Sequence, residues 1–182
     1  MPTVYPWARQ YLWYDFANPD YHWFYNMLRV ASNAGGHTDA NVPIIPFVHW
    51  HTIYDPDPGE PGIEQMSEWA YQELLWHMLL RGSDTFFLFC QQSDAPAEIR
   101  HVHKVWAASL EYADWLDRGT PITFDVPKQP GPVVSGLRVG DRVLARRTDF
   151  DQEQRGPVAL LVGERKIQVP RVERGFQILE IE

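Results

Sequence analysis

The stretch VPIIPFVHWHTIYDPDPGEPG, residues 42–62, decides how this chain reads. It opens as an apolar run rich in β-branched residues, the pattern of a strand covered on both faces, as in a parallel sheet. Pro43 and Pro46 disturb its regularity, because proline offers no N–H to a ladder. The run then breaks into His49, Trp50, His51, Tyr54, Asp55 and Asp57. Ligands of α/β sheets bind at the C-terminal ends of the strands, so a buried strand that ends in ring nitrogens, aromatic faces and carboxylates reads as the floor of a cleft.

The same unit recurs on both sides. Pro2 to Trp7 is a candidate strand, and Asn18-Pro19-Asp20 supplies an N-cap and a first-turn proline to a helix that should end at Gly35-Gly36. Residues 63–81 predict a second helix, stopped by Gly82, and TFFLFC at 85–90 a third buried strand. Asp94 and Pro96 start a last helix, in which Ile99, Val102, Trp106, Leu110, Ala113 and Leu116 recur at helical spacing and mark the predicted buried stripe. Three βα units in succession predict a parallel sheet with right-handed crossovers. The segments after the strands, 8–17, 50–62 and 91–94, hold most of the unusual polar and aromatic residues.

Composition divides the chain near Gly119-Thr120-Pro121. All eight tryptophans precede residue 120. Residues 120–182 instead alternate in short runs broken by Gly-Asp, Gly-Pro and Gly-Glu-Arg turns, which predicts a small antiparallel β-sandwich with hairpins at VGDRVLARR and LVGERKIQV. With Phe124, Phe150 and Phe176 as its aromatics, that region reads as a structural cap rather than a lectin.

Charge narrows the partners. A net charge of −8 with three lysines offers no basic face to nucleic acid and no polybasic patch to a membrane. No apolar run approaches the roughly twenty residues that span a bilayer, and the N-terminus lacks the pattern of a signal peptide, so a cytoplasmic protein is expected. One cysteine, Cys90, excludes an intrachain disulfide and a cysteine-rich zinc site, and reads as a small buried hydrophobe. No cofactor is expected.

YQELLWHMLLRGSDTFFLF (71–89), the helix after it and GTPITFDVPKQPGPVVSGLRVGDRVLARRTDF (119–150) resemble the C-terminal part of bacterial (β/α)8-barrel glycoside hydrolases that carry a trailing β-sandwich. The likeness lies in element order and texture and covers nearly the whole chain. It implies a partial (β/α) barrel of about three βα units over 1–119, matching the last three strands of eight, and a β-sandwich over 120–182. It also implies a carbohydrate substrate. Three parallel strands cannot close a barrel and leave two edges and an apolar face to be covered. The expected partner is therefore a second copy of the chain, in a homo-oligomer, or a complementary barrel polypeptide.

Glycoside hydrolysis needs two carboxyl groups, about 5.5 Å apart for retention or roughly 6.5–9.5 Å for inversion, and aromatic faces for sugar rings. The catalytic candidates are Asp15 and Asp55, which follow the first and second strands. Trp13, Tyr14, Trp50 and Tyr54 are the candidate subsite aromatics. His49 and His51 share a face of the strand and are candidate hydrogen-bond donors to sugar hydroxyls, with packing as the alternative for Trp50. The resemblance transfers no catalytic residue by motif. Asp15, Asp55 and Asp57 equally suit turns, and Glu73, His77, His101 and His103 read as structural or surface residues. Two other functions fit the same residues: a noncatalytic carbohydrate-binding or assembly chain, and a metal-dependent hydrolase built on His49 and His51.

Overall fold

Three two-residue strands set the frame. The computed structural model of the chain describes residues 3–4, 19–39, 41–50, 66–88, 95–150 and 153–181. Strands β1 (Thr3–Val4), β2 (Phe47–Val48) and β3 (Phe87–Leu88) form a parallel sheet in that order, with Phe47 opposite both Thr3 and Phe87. Helices α1 (Pro19–His37) and α2 (Glu68–Leu79) lie between them in sequence, and α3 (Ala95–Ser109) follows β3. A 3-10 turn, Leu110–Tyr112, leads into the short α4, Ala113–Arg118. This is the predicted mixed α/β order. No closed barrel forms among the described residues.

Several elements differ from the sequence reading in instructive ways. Strand β2 is far shorter than its apolar run, because Pro43 and Pro46 lack ladder donors. The run still stays extended by other bonds. Ile44 N donates to Asp84 Oδ2 at 2.7 Å, and Asp84 N and Phe87 N donate back to the carbonyls of Ile44 and Pro46. Strand β3 is not fully buried. Val48 is sealed, but Phe87 is 53% exposed and stacks on Phe47 across the sheet, 5.1 Å between centroids. Helix α1 runs through Gly35-Gly36 to His37, so these glycines are not its stop. A Cβ at Gly35 would collide with the Arg81 carbonyl and come within 2.7 Å of the Phe124 ring. The glycine is there for close approach. Helix α2 starts one residue after Ser67, whose hydroxyl accepts from Ala70 N. It ends before Gly82, whose φ of +91° suits glycine alone.

The predicted face of α3 is also corrected. Its buried residues are Glu98, His101, Val105 and Ser109, whereas Ile99, Trp106 and Leu110 are 50%, 44% and 60% exposed. Of the predicted stripe, Val102 and Leu116 pack against the core, while Ile99, Trp106 and Leu110 look outward. The polar one faces inward, because hydrogen-bonding partners meet it there.

The second region is antiparallel throughout. Strands β4 (Thr120–Pro121), β5 (Pro132–Val139), β6 (Arg142–Asp149) and β9 (Phe176–Glu180) make one sheet in the order β4-β5-β6-β9. Strands β7 (Val158–Val162) and β8 (Arg165–Val169) make a separate hairpin. Both predicted hairpins are present. Each turns on two residues, Gly140-Asp141 and Gly163-Glu164, with the glycine at φ +62° and +67°. Val134, Val143 and Ala145 of the sheet pack with Val162, Ile167 and Val169 of the hairpin. Arg147 ties the two together. Its buried guanidinium donates to both oxygens of Asp149 and to the carbonyls of Gln154, Gly156 and Val169.

The compositional boundary at residue 120 is no gap in the packing. Val133 belongs to the core built by α1, α2 and α3, and Phe150 and Phe176 pack against it. The Tyr25 hydroxyl donates to Gly131 O and accepts from Gly131 N, both at 3.0 Å, and burial pushes its pKa up to about 12. Glu73 and His77 are four residues apart on α2 and so share a face, and Arg81, in the turn just after the helix, extends the row. They enter one directed chain of bonds. Thr148 Oγ1 gives its proton to Glu73 at 2.7 Å and therefore accepts from His77 Nε2–H at 2.9 Å. His77 Nδ1 then accepts from the Ser135 hydroxyl at 2.7 Å, and Ser135 accepts from Arg81 Nε at 2.7 Å. Arg146 closes the far end with two bonds to Glu73, at 2.6 and 2.8 Å. Burial, reinforced by Arg81 and Arg146, holds the His77 pKa well below the usual imidazole range, so the ring is neutral. Glu73 is thus a structural residue, as read from the sequence, but it is buried and paired rather than snorkelling.

Candidate functional site

Strand β2 delivers His49 and Trp50 to the end of the parallel sheet, where helices α2 and α3 begin. Both side chains are inside, at 1% and 9% exposure. The backbone amide of Trp50 donates to Glu98 Oε2 at 2.8 Å, and its indole Nε1 donates to Met66 O at 2.8 Å. The residue is therefore fixed at both ends, once to the first turn of α3 and once to the approach to α2.

Glu98 organises this corner. It is fully buried, and its other oxygen accepts from the Tyr71 hydroxyl of α2. His49 Nδ1 lies 3.9 Å from the same carboxylate. A buried carboxyl group needs hydrogen-bonding partners for its oxygens, and the Trp50 amide and the Tyr71 hydroxyl supply them. His101, one turn along α3, completes the cluster. Its Nδ1 accepts from Gln72 Nε2 at 3.0 Å, which leaves the proton on Nε2, 3.7 Å from Glu68 Oε1. The indole of Trp50 packs against both Tyr71 and His101, nearly parallel to the first at 6.2 Å and edge-on to the second at 4.6 Å, and those two rings meet edge-on at 6.4 Å.

This geometry sorts the predicted residues. Of the two roles that the sequence leaves to Trp50, the structure shows packing, with its indole N–H already bonded inside. His49 is at the strand end as expected, but it is enclosed beside Glu98. Trp13, Tyr14, Asp15, His51, Tyr54, Asp55, Asp57 and Cys90 lie outside the described residues. His101 is buried and His103 exposed, both on α3.

Sequence reasoning missed Glu98 and Tyr71. An acid in the first turn of a helix reads as a partner of the helix dipole. The available signal was position, because the first turn of a crossover helix sits beside the strand ends, where a carboxylate can reach a neighbouring strand's backbone. Chemically, the cluster is a clamp. It sets the direction in which the chain leaves β2, and its carboxylate is sealed from solvent.

Among the described residues, no group of three histidine, cysteine or acidic side chains is arranged to hold a metal ion, and no helix is long and apolar enough to cross a membrane. No family model, curated protein or solved structure matches this chain.

Proposed function

We propose that this chain is a carbohydrate-active protein of glycoside-hydrolase type, acting on β-linked glycosides at the C-terminal ends of β1, β2 and β3. In this reading residues 1–119 are a partial (β/α) barrel and residues 120–182 a β-sandwich cap. The observation that carries it is the double anchorage of Trp50, through Glu98 and Met66, at the end of a parallel strand. A sheet end so firmly set is a good base for the segment that follows directly, which holds His51, Tyr54 and Asp55 in sequence. Asp55 and Asp15 are the proposed acid and base or nucleophile, Trp13, Tyr14 and Tyr54 the proposed subsite aromatics, and His51 a proposed donor to sugar hydroxyls. Assayed on chromogenic β-glycosides, Asp15→Asn and Asp55→Asn should each lose at least about a hundred-fold in turnover, the usual scale of acid–base catalysis. Unchanged turnover in both rejects the assignment.

A second reading, a noncatalytic carbohydrate-binding or assembly chain, is favoured by the exposed Ile99, Trp106 and Leu110, with Phe86 and Leu88 of β3 and its approach lining the same surface as Ile99 and Trp106. Such a surface suits burial against another polypeptide, either a second copy or a complementary barrel piece. Saccharide binding without turnover at any pH selects this reading, and a discrete oligomer in a solution-mass measurement supports the assembly part of both.

A further inference from the structure

A cleft of about 660 Å³ opens on the other side of α2, between its first turns and the C-terminal sheet. Trp69 and Glu73 line it from the helix, and Arg147, Asp149, Arg155, Arg171, Glu173 and Arg174 from the second region. In a chain with a net charge of −8, four arginines against three carboxylates is an unusual concentration of positive charge. Two of those carboxylates are already used. Glu73 is held by Arg146, and Asp149 by Arg147, with Arg171 Nε a further 3.6 Å from it. Arg155 and Arg174 are exposed and make no ion pair with any described carboxylate. The backbone next to Arg155 and Arg171 is held from below. Arg147 binds the carbonyls of Gln154 and Gly156, on either side of Arg155, and that of Val169, just before Arg171. Trp69, 38% exposed, leans on Phe150 at 5.8 Å and leaves part of its ring to the cleft.

We propose that this cleft binds a saccharide bearing a carboxylate or sulfate group, with Trp69 under the sugar ring and Arg155 and Arg174 on the anion. A planar guanidinium matches both anions with paired hydrogen bonds, and an indole accommodates the apolar face of a pyranose. Glu173 is an acceptor for hydroxyl groups at the rim. The saccharide part rests on the glycoside-active reading above, whereas the anion part rests on the arginines alone.

Calorimetric titration of the full chain tests it with four probes: a glucuronate-containing oligosaccharide, a sulfated one, a neutral glucose oligosaccharide of equal length, and inorganic sulfate. Either anionic oligosaccharide should bind about ten-fold more tightly than the neutral one at low salt, the size of one charge-assisted bond. The preference should shrink as salt is raised and vanish in Arg155→Ala/Arg174→Ala, whose altered residues are exposed and carry no structural bond from their side chains. Trp69→Ala should weaken all three oligosaccharides, while Trp69→Phe retains them. Equal affinity for charged and neutral oligosaccharides, or a preference that survives the double variant, overturns the inference. Inorganic sulfate bound as tightly as the anionic oligosaccharides, and indifferent to Trp69→Ala, overturns the sugar part. Failure of the catalytic reading is separate: it is seen as turnover unchanged in Asp15→Asn and Asp55→Asn, whatever the cleft binds.

Discussion

Helices α2 and α3 both turn a polar stripe inward, and they differ in what meets it and in what they leave outside. Glu73 and His77 of α2, with Arg81 just after it, face Ser135, Arg146 and Thr148, a sheet surface that answers each bond in a directed chain. Glu98 and His101 of α3 face the strand-end residues Trp50 and His49 and, on α2, Tyr71 and Gln72. Outside, α3 and the turn after it carry half-exposed Ile99, Trp106 and Leu110. The lesson is that apolar periodicity locates a stripe but not its direction. Direction follows from which residues find partners, and buried polar groups with good partners can turn part of an apolar stripe outward.

Four changes break or sharpen this comparison. The largest effect belongs to Glu73→Ala, which leaves Arg146 buried without its counter-charge and should cost about 3–5 kcal/mol in urea denaturation. A loss below about 1 kcal/mol would mean that the two regions are not joined through this pair. Glu98→Gln keeps the shape and one acceptor, so about 1–3 kcal/mol is expected, with an altered near-ultraviolet dichroism from Trp50. If it equals Glu73→Ala, the strand-end corner is as integral as the junction.

The third effect is pH dependence. His77 is neutral in the fold, its pKa depressed below the value near 6.5 that it regains on unfolding. The unfolded chain therefore takes up a proton that the folded one refuses. Stability from this group is complete above pH 6.5 and falls as pH drops below it, by at most about 1.4 kcal/mol per unit. Thermal unfolding between pH 7 and 5.5 should show this slope, and it should be less steep in His77→Gln. The smallest effect is that of Ile99→Ser with Leu110→Ser, under about 0.5 kcal/mol per residue in the isolated chain. The same pair should lower the solution mass if the outward stripe of α3 is an assembly surface.

What the sequence made legible was local. Asn18-Pro19 marks the start of α1, and the two Gly-acid pairs mark both hairpins. The βα order follows from alternating patterns over short windows. What escaped depends on contacts far apart in the chain. Thr148 and Glu73 are 75 residues apart, and so no pattern around Glu73 announces the bond. Gly35 looked like a helix stop because its neighbour on Arg81 is visible only in space. At the candidate site, the location of His49 and Trp50 at a strand end could be read from the switch in composition after Val48. Their enclosure could not, since it is imposed by Glu98 of a helix three elements further along the chain.

Arg147 has a further consequence, for how the second region opens. Hairpin β7–β8 shares no ladder with the main sheet, and such a piece would ordinarily fray by itself. A single guanidinium that holds Gln154, Gly156 and Val169 makes independent opening expensive, since all three carbonyls must be released together. Amide hydrogens of β7 and β8 should therefore exchange with deuterium in step with those of β6, and Arg147→Lys should uncouple the two rates.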